Sequence, residues 1–187
     1  MSTTIRPWAK IGRMADDPRP HIPPIGDERT MLAAYLDWHR ATIALKCAGL
    51  TPAQLASRPI PPSTMSLLGL IRHLTDVERG WFGRGIAGQD LPPLYYSDAD
   101  PDGDFDNVHE ATADQALVDA TFAAWHAQRE QSRAIAEGVG SLDEIRPHPR
   151  YGDLSVRWIL VHLVEEYARH SGHADLMREQ IDGVTGE

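Results

Sequence analysis

Four long stretches of the chain place apolar side chains every three to four residues, with polar residues filling the intervals. From Asp27 to about Gly49, Met31, Leu32, Tyr35, Leu36, Ile43 and Cys47 fall at helical spacing, and Gly49 closes the run, which predicts helix one. After Ser63 or Thr64, Leu67, Leu70, Ile71, Leu74, Val77, Glu78 and Trp81 share a stripe that ends between Gly83 and Gly88, predicting helix two. Helix three is expected from about Thr112 to Glu137, with Leu117, Ala120, Thr121, Ala124, Trp125, Gln128 and Ile135 facing inward and Gly138 and Gly140 beyond its end. Helix four begins at Ser155 and runs to about Ile181, where Asp182 and Gly183 stop it. No strand alternation of useful length and no internal repeat interrupts this pattern.

The connections are legible by their turn residues. Pro18, Pro20, Pro23, Pro24 and Gly26 break any regular element, so residues 1–26 read as an extended arm and residues 27–187 as one bundle domain. Thr51 and Pro52 read as cap and first-turn proline of a short helical turn, followed by an extended Arg58–Pro62 stretch. Residues 90–112, with four aspartates between Asp98 and Asp104, form a long acidic connection between helices two and three. It is expected to be solvated, since the ligand spacing of the helix-loop-helix calcium motif is absent. The RPHPRYGDL segment is expected to be a loop. Four amphipathic helices without strands predict an all-α four-helix bundle, an architecture that builds metal and ligand sites from side chains projecting into its core.

Composition narrows the function. At 187 residues, 42% apolar and 24% charged, the chain is sized for one core. A net charge of −9 disfavours nucleic acid and anionic lipid, and no Lys/Arg run offsets it locally. No apolar run approaches the roughly 18 residues of a membrane span. The opening MSTTIRPWAKIGRM lacks the apolar core of a secretory signal, so a cytoplasmic protein is expected. Cys47, the single cysteine, excludes an internal disulfide and a thiolate cluster and reads as core filler.

Candidate chemistry concentrates on helix four. Ile159, Leu163, Ala174, Met177 and Ile181 define its core arc, and Glu166 and His170 fall inside that arc, stacked one turn apart. A carboxylate in an apolar interior must be protonated, paired or bound to a cation. Helix two offers His73 at the edge of its stripe as a third donor, completing a facial set that leaves positions open for water or substrate. A buried His–Glu pair also occurs in bundles that hold no metal, so periodicity leaves both readings open. His162 and His173 lie at the margin of the stripe as supporting residues, while His21, His39, His109, His126 and His148 stay outside the site. Trp38, Trp81 and Tyr167 are candidate pocket walls, and Arg72 and Arg169 candidate anion binders.

The segments SLLGLIRHLTDVERGWF and RYGDLSVRWILVHLVEEYARHSGHADLMRE resemble the DinB-like superfamily of metal-binding four-helix bundles, in its mini-circle protein branch. The resemblance runs from about Asp27 to Gly183. It rests on His73-Leu74 with Val77-Glu78 after it, on the Glu165-Glu166-x-x-Arg169-His170-x-Gly172-His173-Ala174-Asp175 run, and on their separation. It implies a divalent-metal ligand set of His73, Glu166 and His170, with glutamate where many members carry histidine, as in relatives of the mycothiol-dependent maleylpyruvate isomerases.

What the resemblance further implies is a thiol S-transferase. A low-molecular-weight thiol such as mycothiol or bacillithiol is activated as thiolate on the metal and attacks an electrophilic small molecule. Zinc is the expected ion, and nickel, cobalt, manganese or iron would also suit two histidines and a carboxylate. Isomerisation is not expected, because the isomerases proper carry a further C-terminal domain and this chain stops at Glu187. Two other classes stand beside it: a non-catalytic metal-binding stress or interaction protein, dimeric through a helix-one face carrying Met31, Tyr35, Trp38 and Leu45, and a metal-dependent hydrolase using bound water.

Overall fold

A computed structural model of the chain describes residues 17–185; most of the expected N-terminal arm lies outside these residues. Four long helices form the bundle, as the periodicity predicts. Helix α1 spans Glu28–Cys47, and Asp27 caps it by accepting from the Thr30 amide. The short α2, Pro52–Ala56, starts on a full capping box in which Thr51 and Gln54 satisfy each other's backbone amides. Helix α3 covers Leu67–Glu78 and α5 covers Gln115–Gly138. Helix α6 covers Val156–Asp182 and ends on Gly183, whose φ of 78° is the left-handed conformation that glycine adopts without a Cβ clash.

Helix α1 packs along α6 and α3 along α5, and α3 also touches α6. The core is the overlap of their apolar stripes: Ile43 from α1, Leu70, Ile71 and Leu74 from α3, Trp125 from α5, and Ile159, Leu163, Ala174 and Met177 from α6 are essentially inaccessible. Cys47 is buried in the same core, as its filler reading requires. Of the arm, the described residues include Arg19, whose guanidinium lies 4.3 Å over the Trp38 ring and donates to Thr42 Oγ1 at 3.4 Å.

Five local features depart from the sequence reading. Helix α3 begins at Leu67 because Ser66, not Ser63 or Thr64, accepts the capping hydrogen bond from the Gly69 amide at 3.0 Å. It then widens into a π-helical segment, Arg79–Ile86, instead of continuing as α-helix. The segment buries Phe82 and Ile86 and leaves Trp81 and Arg84 half-buried. On α5 the buried set is Val118, Thr121, Trp125, Gln128 and Ser132, a strict 3.5-residue seam, and the expected Ala120 is exposed. The narrow seam is set by the facing helix, which propensity along a single helix does not report.

The RPHPRYGDL segment is a β-hairpin, not a loop. Strands β1 (Ile145–His148) and β2 (Gly152–Ser155) pair antiparallel with His148 opposite Gly152, which turns the strand at φ 74°. The acidic connection is likewise not simply solvated. It folds into a short helix α4 (Gly103–Asp106) and a 3₁₀ turn (Glu110–Thr112), burying Asp104 and Val108 against the bundle.

Candidate metal centre

Helix α3 carries His73 to the same height of the bundle as the α6 turn bearing Glu166 and His170. The rings of His73 and His170 are 4.8 Å apart between centroids, crossing at 63°. His170 Nε2 lies 3.4 Å from Glu166 Oε2. One donor atom from each of the three residues falls within 4.8 Å of the others. A tetrahedral ion with ligand bonds of about 2.0–2.1 Å spaces its ligands roughly 3.4 Å apart. The His170–Glu166 pair already has that spacing, and two imidazole nitrogens with one carboxylate are a donor set that suits a divalent first-row cation.

The rings are oriented from behind. Nδ1 of His73 sits 2.8 Å from Asp104 Oδ2, and Asp104, at 5% exposure, is held in turn by the Phe105 amide on its other oxygen. A carboxylate only accepts, so Nδ1–H donates to it and the Nε2 lone pair of His73 is left free. His170 Nδ1 lies 3.2 Å from His173 Nδ1. Burial, aided by the neighbouring His170 and Arg169 charges, holds His173 below the usual histidine range. Neutral His173 can then accept from His170 Nδ1–H, which leaves Nε2 turned toward Glu166.

Glu166 is kept ionised. The hydrogen bond from His170 pulls its pKa below the ordinary glutamate value; burial opposes this, and the positive potential of His170, His162 and His73 adds to the lowering. Its Oε1 accepts from Arg169 Nη1 at 3.1 Å and lies 3.7 Å from His162 Nε2. A second cluster of metal-binding residue types, His162, Glu165 and Glu166, shares this carboxylate, but Arg169 bridges Glu165 and Glu166 and so supplies their counter-charge.

Glu166 does not occupy the apolar interior that its position on the helical wheel suggests: its side chain is 14% exposed, at the margin of the bundle. The wheel reports angle, not depth. Among the described residues, the carboxylate with no solvent contact is Glu78, five residues after His73. Arg40 grips both its oxygens, at 2.9 and 2.8 Å, and the Tyr167 hydroxyl donates to it at 2.5 Å while accepting from Trp125 Nε1. Removing one member of such a buried pair costs about 3–5 kcal/mol. Tyr167 is therefore a core strut and not a pocket wall.

A cavity of about 570 Å³ opens beside His73 and Glu166. Trp81 lines it as expected; Trp38 does not, and sits under Arg19. His148, expected to lie apart, is on the wall: the hairpin stacks it on Trp81, with 5.0 Å between centroids, and brings Tyr151 alongside. His162 stacks on Trp158 and meets the Trp81 edge. Arg72 donates to the Asn107 carbonyl, and Arg84 lines the cavity instead. Asp104 and the hairpin residues had no periodic signal to reveal them; the only hint was the unusual density of aromatic, proline and basic residues in RPHPRY just ahead of helix four.

His39 lies 3.5 Å from Ser171 and His126 beside Arg129, both away from the cavity, and His21 and His109 are exposed. Among the described residues, no helix is long and apolar enough to cross a membrane.

The fold is similar to the crystal structure of a conserved protein from Enterococcus faecalis, with a TM-score of 0.60 at 16% identity, covering 86% of this chain and 100% of that one. No curated protein matches the chain. The sequence profile of the mycothiol-S-transferases matches residues 31–183, a span that includes α1 from Met31 onward, the other three long helices, His73, Glu166, His170 and the cavity walls, and the chain therefore belongs to the mycothiol-S-transferase family.

Proposed function

We propose that this protein is a metal-dependent transferase of the cytoplasm that moves a low-molecular-weight thiol, mycothiol or a close analogue, onto an electrophilic small molecule. The observation that carries the reading is the convergence of His73, Glu166 and His170 at the edge of a cavity large enough for thiol and electrophile together. A divalent cation held by these three residues, zinc being the first choice, supplies Lewis acidity that lowers the pKa of a thiol placed against it.

The chain's own groups prepare that chemistry. Asp104 and His173 fix the two imidazoles with their Nε2 atoms toward the site, and Arg169 steadies Glu166. The wall formed by Trp81, His148 and Tyr151 offers stacked flat faces against which the body of the thiol would pack. No protein thiol competes: Cys47 is buried, and that burial pushes its pKa up to about 12.

The open cavity supports turnover over a purely structural metal role. Purified protein stripped with chelator should lose thiol conjugation of an electrophile panel and regain it on adding zinc. Full activity of metal-free protein would overturn the reading, and turnover without added thiol would move it to the hydrolase class.

A further inference from the structure

A second cavity of about 360 Å³ lies between α1 and α5. It shares no lining residue with the cavity at the candidate metal centre. Leu32, Leu36, Phe82, Ala136 and Leu160 supply apolar walls. Two polar bridges span the gap: Arg133 to Asp37 at 3.0 Å, and Arg29 to the Ala136 carbonyl at 3.0 Å. Its size falls in the range of small-molecule sites, about 300–1,000 Å³.

The lining also holds buried polar groups with unused capacity. Ser132 has no solvent exposure, and its hydroxyl has no hydrogen-bond partner. Arg40, at 2% exposure, spends three N–H groups on Glu78 and Asp37, leaving two of the guanidinium's five. A buried hydroxyl left unsatisfied is a standing cost that a ligand atom removes. What these groups lack is an acceptor.

We infer that this cleft is a second ligand site, which takes a small amphipathic carboxylate: an apolar chain between α1 and α5, with the head accepting from Ser132 Oγ–H and Arg40. A carboxylate is the acceptor that gains most from such donors, because its hydrogen bonds to them are charge-assisted. An acceptor-free hydrocarbon would leave Ser132 unsatisfied. The site does not depend on metal or thiol, and the inference stands whether or not the transferase reading does.

The test is calorimetric titration of the full-length, zinc-loaded protein with sodium octanoate, with 1-octanol in parallel. Octanoate should bind with one-to-one stoichiometry, and more tightly than the alcohol. Ser132→Ala should weaken it about two- to tenfold, the range of one hydrogen bond. Ala136→Phe, which fills the cavity, should abolish binding while the zinc content stays at the wild-type level. If Ala136→Phe does not fold, Ser132→Ala decides alone, since it removes one oxygen from a stable helix. Absence of saturable octanoate binding, equal affinity for the alcohol, or octanoate affinity unchanged by either substitution overturns the inference.

Discussion

At the scale of single residues, the candidate centre depends on which imidazole nitrogen is free. Asp104 decides this for His73, and it does so from a connection whose composition predicts only solvated acid. Asp104→Asn keeps the shape but replaces an acceptor-only group with one that can also donate, which loosens the tautomer of His73. Zinc affinity of the variant, measured by chelator competition, should fall about 10- to 100-fold, as for other supporting groups behind metal-bound histidines. Unchanged affinity would remove Asp104 from the centre. The three proposed ligands themselves were legible because two lie an α-turn apart within an otherwise apolar arc and the third edges a second apolar stripe. Asp104, His148 and Tyr151 were not, because what places them is contact between segments distant in the chain.

The elements show the same division. Helices one to four were readable from period and caps because each buries a stripe along its own length, so the signal is local. The π-helical turn and the hairpin are short, and their stability derives from what they pack against. The acidic connection is the clearest case: its descent onto α3 depends on Gly69, where a Cβ would lie 2.7 Å from Phe105 Cδ1 and about as close to Ser66 Oγ as the cap allows, at 3.0 Å. Phe105 adjoins Asp104, and its ring lies 5.5 Å from that of His73. Gly69→Ala should favour helix α3 by roughly 0.5–1 kcal/mol in isolation. It should nonetheless push Phe105 and α4 outward and weaken zinc binding. The pairing of retained helicity by circular dichroism with reduced zinc affinity checks this; affinity equal to wild type would mean that the ring finds room elsewhere.

For the molecule as a whole, the bundle divides its polar interior between two levels. Arg40, Glu78, Tyr167 and Trp125 form a hydrogen-bonded network inside the core, whereas His73, Glu166 and His170 sit at the margin beside open space. Acid sensitivity near neutrality is expected from histidines whose neutral form the fold favours. His39 is held below the ordinary value near 6.5 by burial and then by the Arg19 charge. His126 is held below it by burial and then by Arg129; Glu130 opposes this, and Arg133 adds a smaller lowering. For both, the folded pKa lies below the unfolded one, so the unfolded chain binds more protons as the pH falls through about 6.5. Their contribution is fully present above that value and is lost toward the lower folded values. The urea midpoint of metal-free protein should accordingly drop between about pH 7.5 and pH 5.5, in a window above most carboxylate titration. The double variant His39→Gln, His126→Gln lies outside the candidate centre and should show a visibly shallower drop. Parallel drops in the two proteins would place the acid sensitivity elsewhere in the chain.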